Sequence, residues 1–61
     1  MKRYDTDFVI QCIETHKSAF EDWPHGDARE AWVDDDGNLC IRYEDGMHYH
    51  YKEENGSTVW W

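Results

Sequence analysis

Three side chains with metal-binding or nucleophilic chemistry lie close together in the second half of the sequence: Cys40, His48 and His50. A thiolate and two imidazoles suit a zinc ion, with water or Glu44 as a fourth ligand. Four histidines in so short a chain make such a coincidence inexpensive. The expectation is therefore ordinary polar residues on a solvent-facing strand, with no metal bound. Cys12 and His16 have the i, i+4 spacing of a nucleophile and its base on a helix. Both fall on the side of that helix that faces the core, where no substrate enters, so His16 is expected to be buried and bonded to Tyr43, Tyr49 or Tyr51. The run Asp34-Asp35-Asp36-Gly37-Asn38 has the acidic density of a calcium loop. Aligning Gly37 with the glycine such a loop requires places Trp32 at the first ligand position and Tyr43 at the last, where a glutamate is needed. No Ser-His-Asp set, phosphate-cradling glycine loop or catalytic carboxylate pair is present. The sequence predicts neither an enzyme nor a cofactor.

The elements that position these residues follow from periodicity. Val9, Ile13, His16, Phe20 and Trp23 recur at alternating steps of four and three, which keeps them on one stripe of a helix, with Cys12 and Ala19 at its borders. Asp5, Thr6 and Asp7 offer short oxygen acceptors to the first turn, and Pro24 followed by Gly26 closes the other end. The spacing predicts a helix over about 6–23. Its opposite face carries Asp7, Glu14 and Glu21 in a line with roughly 10 Å between members, the ordinary pattern of a solvated face.

After residue 28 the period becomes two, and the punctuation repeats as Asp35-Asp36-Gly37, Glu44-Asp45-Gly46 and Glu54-Asn55-Gly56. Each triplet fits either a two-residue turn or a three-residue loop whose glycine takes the left-handed position. Two-residue loops would set Tyr43 opposite His48 and Ile41 opposite His50, mixing apolar and polar side chains on both faces. Three-residue loops pair Val33 with Leu39, Ala31 with Ile41, Ile41 with Tyr49, Leu39 with Tyr51, Tyr51 with Val59 and Tyr49 with Trp61. They also set Glu30 opposite Arg42. The expectation is an α+β domain in which one helix packs on a four-stranded antiparallel meander, with strands at about 29–34, 38–43, 47–53 and 57–61.

In that register the face turned away from the helix carries Trp32, Cys40, His50 and Trp60 in a row across all four strands, with Arg42 and His48 beside it. Large aromatics rimmed by polar groups mark interfaces. The leading expectation is thus a non-catalytic module that binds a protein partner, or a second copy of itself as a homodimer, through this face.

Composition bounds the alternatives. The 61 residues carry 14 acidic and 6 basic side chains, a net charge of −8 and a pI near 4.6, with a mean hydropathy of −1.04 and 16% aromatic residues. That length fits a single small domain, 1–61, whose core supplies only a few kcal/mol, so a covering partner would stabilise it. So acidic a chain lacks the basic face that direct nucleic-acid binding or an anionic membrane demands. The basic start Met1-Lys2-Arg3 is followed by an apolar run of only Phe8-Val9-Ile10, far short of a signal sequence, which points to the cytoplasm. Two cysteines, expected on opposite sides of the sheet, build neither a disulfide framework nor a zinc finger. The rival functional expectation is an inhibitor of the kind carried by phages and mobile elements, which mimics nucleic acid with an acidic surface formed by Asp7, Glu14, Glu21, Asp34, Asp35, Asp36, Glu53 and Glu54.

Overall fold

The computed structural model describes residues 5–61, so Met1, Lys2 and Arg3 lie outside the described residues. Helix α1, Thr6–Ser18, begins where Asp5 adopts an extended backbone and its side chain accepts the Phe8 N–H at 2.8 Å. Strands β1 (Ala28–Val33), β2 (Leu39–Tyr43), β3 (His48–Glu54) and β4 (Ser57–Trp60) follow as an antiparallel sheet in the order β1-β2-β3-β4. The α+β meander expected from the sequence is the fold observed.

The helix is shorter than its apolar stripe. It ends at Ser18 rather than Trp23, closed by short bonds from the Ala19 N–H to the His16 carbonyl and from the Phe20 N–H to the Lys17 carbonyl. Two causes act together. Trp23 precedes Pro24, which pushes it out of the helical region. A helix continued to Trp23 would also carry its indole about 10 Å beyond His16. Unwinding lets the chain turn back, so that the Phe20 and Trp23 rings lie 5.7 and 4.8 Å from the His16 ring. The stripe thus marks a shared packing face, but not one continuous helix. Glu21 consequently leaves the line formed with Asp7 and Glu14.

The first two hairpins have the expected three-residue loops. The Gly37 N–H donates to the Asp34 carbonyl and the Gly46 N–H to the Tyr43 carbonyl, each at 3.0 Å. Their registers pair Trp32 with Cys40, Cys40 with His50, and Glu30 with Arg42. One irregularity between Ala28 and Glu30 inserts Arg29 as a bulge.

The third hairpin departs from expectation by one residue. Glu54 pairs with Ser57 across a two-residue turn in which Asn55 and Gly56 both have positive φ, 53° and 80°. This is the primed turn that Asn-Gly favours, because asparagine tolerates the left-handed region better than other side chains. Tyr51 therefore faces Trp60 rather than Val59, and His50 exchanges two 3.1 Å backbone bonds with Trp61. A one-residue slip exchanges the two faces of a strand. Trp60 turns towards the helix and Trp61 away from it.

The core between helix and sheet consists of Cys12, Leu39, Ile41, Tyr43 and Tyr51, with Phe8, Val9, Ile13, Trp23, Tyr49 and Trp60 packed around it. His16 is buried at its centre. Among the described residues no helix is long and apolar enough to cross a membrane.

Candidate functional site

The outer face of the sheet carries the row Trp32, Cys40, His50 and Trp61. Trp60, expected here, belongs to the inner face, where its ring lies 4.5 Å from that of His16. Trp61 takes its place by stacking on His50, with the rings 5.2 Å apart and 13° from parallel. Lys52 extends over the same indole at 5.9 Å. The two indoles at the ends of the row stay exposed, Trp32 at 38% and Trp61 at 52%, while Cys40 between them is fully buried. His48 lies beside Trp32, with the rings 6.0 Å apart. Arg42 is bonded to Glu30 across β1 and β2, as their register requires.

Asp34 draws the centre of this face together. It leaves β1 at the first turn, where its Oδ1 accepts the N–H groups of Asp36 and Asn38 at 2.9 Å each. That fixes the carboxylate and leaves Oδ2 to receive the His50 Nδ1–H at 2.9 Å. The Cys40 Sγ lies 3.1 Å from the same nitrogen and 3.8 Å from Oδ2. The backbone donor of Asn38, followed by His50, holds the Asp34 carboxyl below its ordinary pKa, against partial burial. Burial first, then the Asp34 charge, raise the pKa of the Cys40 thiol. Asp and thiol both address Nδ1, leaving the other imidazole nitrogen out of the contact. This is not the geometry of a relay in which a carboxylate and a nucleophile occupy opposite nitrogens.

On the inner face a second polar group was not singled out by sequence. The His25 Nδ1–H donates to the Asp45 carboxylate at 2.5 Å, and Nε2 accepts the Tyr49 hydroxyl at 3.2 Å. Together with the Asp27 N–H bond to Glu44 Oε1 at 2.7 Å, it ties the loop after α1 onto the second turn. Glu44 is thus engaged on this side of the molecule. Deeper, His16 Nδ1, the Tyr51 hydroxyl and the Tyr43 hydroxyl form a buried chain with steps of 2.7 and 2.6 Å. The expected tyrosine partner of His16 is present. No buried side-chain nitrogen or oxygen among the described residues lacks a hydrogen-bond partner.

The carboxylates named for an acidic surface are scattered. Asp7 and Glu14 are exposed on α1, Glu21 lies beyond its end, and Asp35 and Asp36 are exposed at the first turn. Asp34 is engaged by its own turn and His50, while Glu54 pairs with Lys52 at 3.1 Å. Glu53, opposite Thr58 on the inner face, raises the pKa of the buried Cys12 thiol, though burial does more. Cys12 and Cys40 are both free.

Comparisons with protein-family models, with curated proteins and with solved structures each return no match.

Proposed function

We propose that this protein is a non-catalytic, acidic protein-binding module that acts through the outer face of its sheet, with a second copy of the chain as its partner. The observation that carries this reading is the pair of exposed indoles, Trp32 and Trp61, at either end of one cross-strand row. Aromatic anchors of this size dominate interface energetics. Helix α1 and the loop after it pack on the other face and leave this one to a partner.

Charge favours a like partner. Arg42 is ion-paired with Glu30 and Lys52 with Glu54, and the Asp34 carboxylate is held by hydrogen bonds from His50 and its own turn, so the charged groups of the face are engaged within it. Two such faces meet without the repulsion that a net charge of −8 would otherwise impose. Exposed Asp7, Glu14, Asp35 and Asp36 lie on the helix and at the first turn. A twofold pairing would also extend the burial of a small domain whose core, among the described residues, centres on Cys12, Leu39, Ile41, Tyr43 and Tyr51. The acidic-surface reading is weaker, because Asp34 and Glu54 are already engaged and Glu21 is off the helix.

The test is the molar mass of the Trp32→Ser/Trp61→Ser variant, by light scattering over a concentration series beside the parent. The parent should approach twice 7.4 kDa while the folded double variant stays at 7.4 kDa. Trp60→Ser should instead lower stability, since that indole packs on His16. A double variant that associates like the parent, or association that collapses with added salt, would replace this reading with the acidic one.

A further inference from the structure

We infer that Asp34, Cys40 and His50 form a three-donor site for a divalent transition-metal ion of the zinc type, at the centre of the outer face, with its fourth position left to water. This goes beyond the docking role proposed for the face and does not depend on it.

Donor chemistry selects the ion. A thiolate, an imidazole and a carboxylate suit zinc and its neighbours, whereas calcium and magnesium prefer oxygen donors throughout. Three protein ligands and one open position is the arrangement of zinc sites that keep a water. The three ligand atoms are 2.9, 3.1 and 3.8 Å apart. Tetrahedral zinc with ordinary bond lengths sets such atoms about 3.3 to 3.6 Å apart. Each spacing therefore needs to change by about half an ångström or less, within the reach of small side-chain rotations.

The arrangement is held from outside. Two backbone N–H groups fix Oδ1 of Asp34 and so aim Oδ2 inward. Trp61 stacks flat on His50 and fixes its ring plane. Supports of this kind orient metal ligands and strengthen their hold. The thiol is buried, but the His50 and Asp34 side chains keep 31% and 19% of their surface exposed, and an ion reaches the cluster past them.

Without an ion, hydrogen bonds hold the cluster together with two donors converging on one acceptor. The thiol and the Nδ1–H both address one carboxylate oxygen, and their own 3.1 Å contact can hold at most one proton. A single cation replaces all three contacts. The proton balance is simple: the thiol proton goes to solvent, the Nδ1 proton is replaced by one on Nε2, and Asp34 is already ionised. One proton is released per ion as bonds to sulfur, nitrogen and oxygen form and waters leave the ion, with no change of oxidation state. His48 and Glu44, the partners suggested by sequence, are not part of this set. The His48 ring is 5.7 Å from that of His50, and Glu44 is bonded to Asp27.

The experiment is a titration of the reduced full chain with Co²⁺, read by the thiolate-to-cobalt charge-transfer band, followed by displacement with Zn²⁺. One equivalent should produce the band, release about one proton and give way to zinc. Cys40→Ser and His50→Gln should abolish the band, and Asp34→Asn should weaken binding on the order of tenfold or more. Cys12→Ser and His48→Gln should retain it. Trp32→Ser should also retain it, which separates the metal site from association through the same face. Should Cys40→Ser fail to fold by far-UV circular dichroism, His50→Gln and the proton count decide. No band in the parent with excess cobalt overturns the assignment, and so does a band lost with Cys12→Ser but kept with Cys40→Ser.

Discussion

His16 is a basic side chain held neutral at the middle of an apolar core. Burial, and secondarily the nearby His25, depress its pKa below the ordinary 6.5, while Tyr51 bonds to its Nδ1 at 2.7 Å. The unfolded chain regains an ordinary imidazole, so between the two pKa values the unfolded state binds more protons. The contribution of His16 to stability is therefore complete above pH 6.5 and is lost as pH falls below it. Urea midpoints measured from pH 8 downward should stay level and then decline below about 6.5, and His16→Gln should flatten that decline. The lowered carboxyls Asp45, bonded to His25 and to the Met47 N–H, and Asp34 add a second loss only at more acid pH, below their ordinary 3.8. Tyr51→Phe leaves the buried His16 and Tyr43 groups without their shared partner, at a cost of about 1 to 3 kcal/mol in chemical denaturation. The cysteines form another residue-level prediction. Cys12 is pushed up to about 11 and Cys40 is also raised, both mainly by burial, so neither is appreciably thiolate at neutral pH. A thiol reagent should be silent on the metal-free folded protein and should report both cysteines once denaturant is added. Fast labelling of either in the folded state would contradict the burial. The partner class of His16 was legible in the sequence, because a histidine in an apolar stripe must find one. Asp34 as the third member of the outer cluster was not. Its side chain is aimed by backbone donors of a turn, and only the turn's closed geometry reveals that.

At the level of elements, three similar triplets close two kinds of turn. Asp36 and Asp45 precede their glycines in three-residue loops, whereas Asn55 takes positive φ itself and shortens the third. The alternation of apolar residues fixed the first two registers from sequence, because only one offset separates the two faces. At β4 both offsets bury something apolar, Val59 or Trp60, and the Asn-Gly pair was the better discriminator. The larger indole is the one buried. The helix end departs from the periodicity for a related reason, since a 3.6-residue period records which side chains share a core, but not whether the backbone between them stays helical. The loop that follows makes its own prediction. A Cβ at Gly26, φ 76°, would lie 2.7 Å from Glu44 Oε1 and 2.9 Å from Glu44 Cβ, whereas one at Gly46, φ 89°, meets nothing within 4 Å. Gly46→Ala should cost about 1 kcal/mol from backbone conformation alone. Gly26→Ala should cost more, since it also displaces Glu44 and with it the bond to the Asp27 N–H. Equal thermal shifts for the two variants would contradict that docking.

For the whole molecule, the pairing of charges around the exposed aromatic surface is the property that bears on the proposed function. A chain of net charge −8 keeps the charges of its outer sheet face paired within it, and leaves two indoles exposed there. Sequence located this face and its row of four strands, and misassigned one of its two indoles through the β4 register. The correction strengthens the reading. Trp60 completes the core around His16, while Trp61 joins Trp32 as an exposed indole on the outer face. The most direct measurement is an isotope-filtered nuclear Overhauser experiment on an equal mixture of labelled and unlabelled chain at a concentration where the proposed dimer is expected, with light scattering on the same sample. Intermolecular contacts should come from the indole protons of Trp32 and Trp61 and from Val59, which shares the outer face opposite Lys52 near Trp61, and none from Trp60. A chain that stays at 7.4 kDa at every concentration, or intermolecular contacts that arise from the helix instead, would contradict the account.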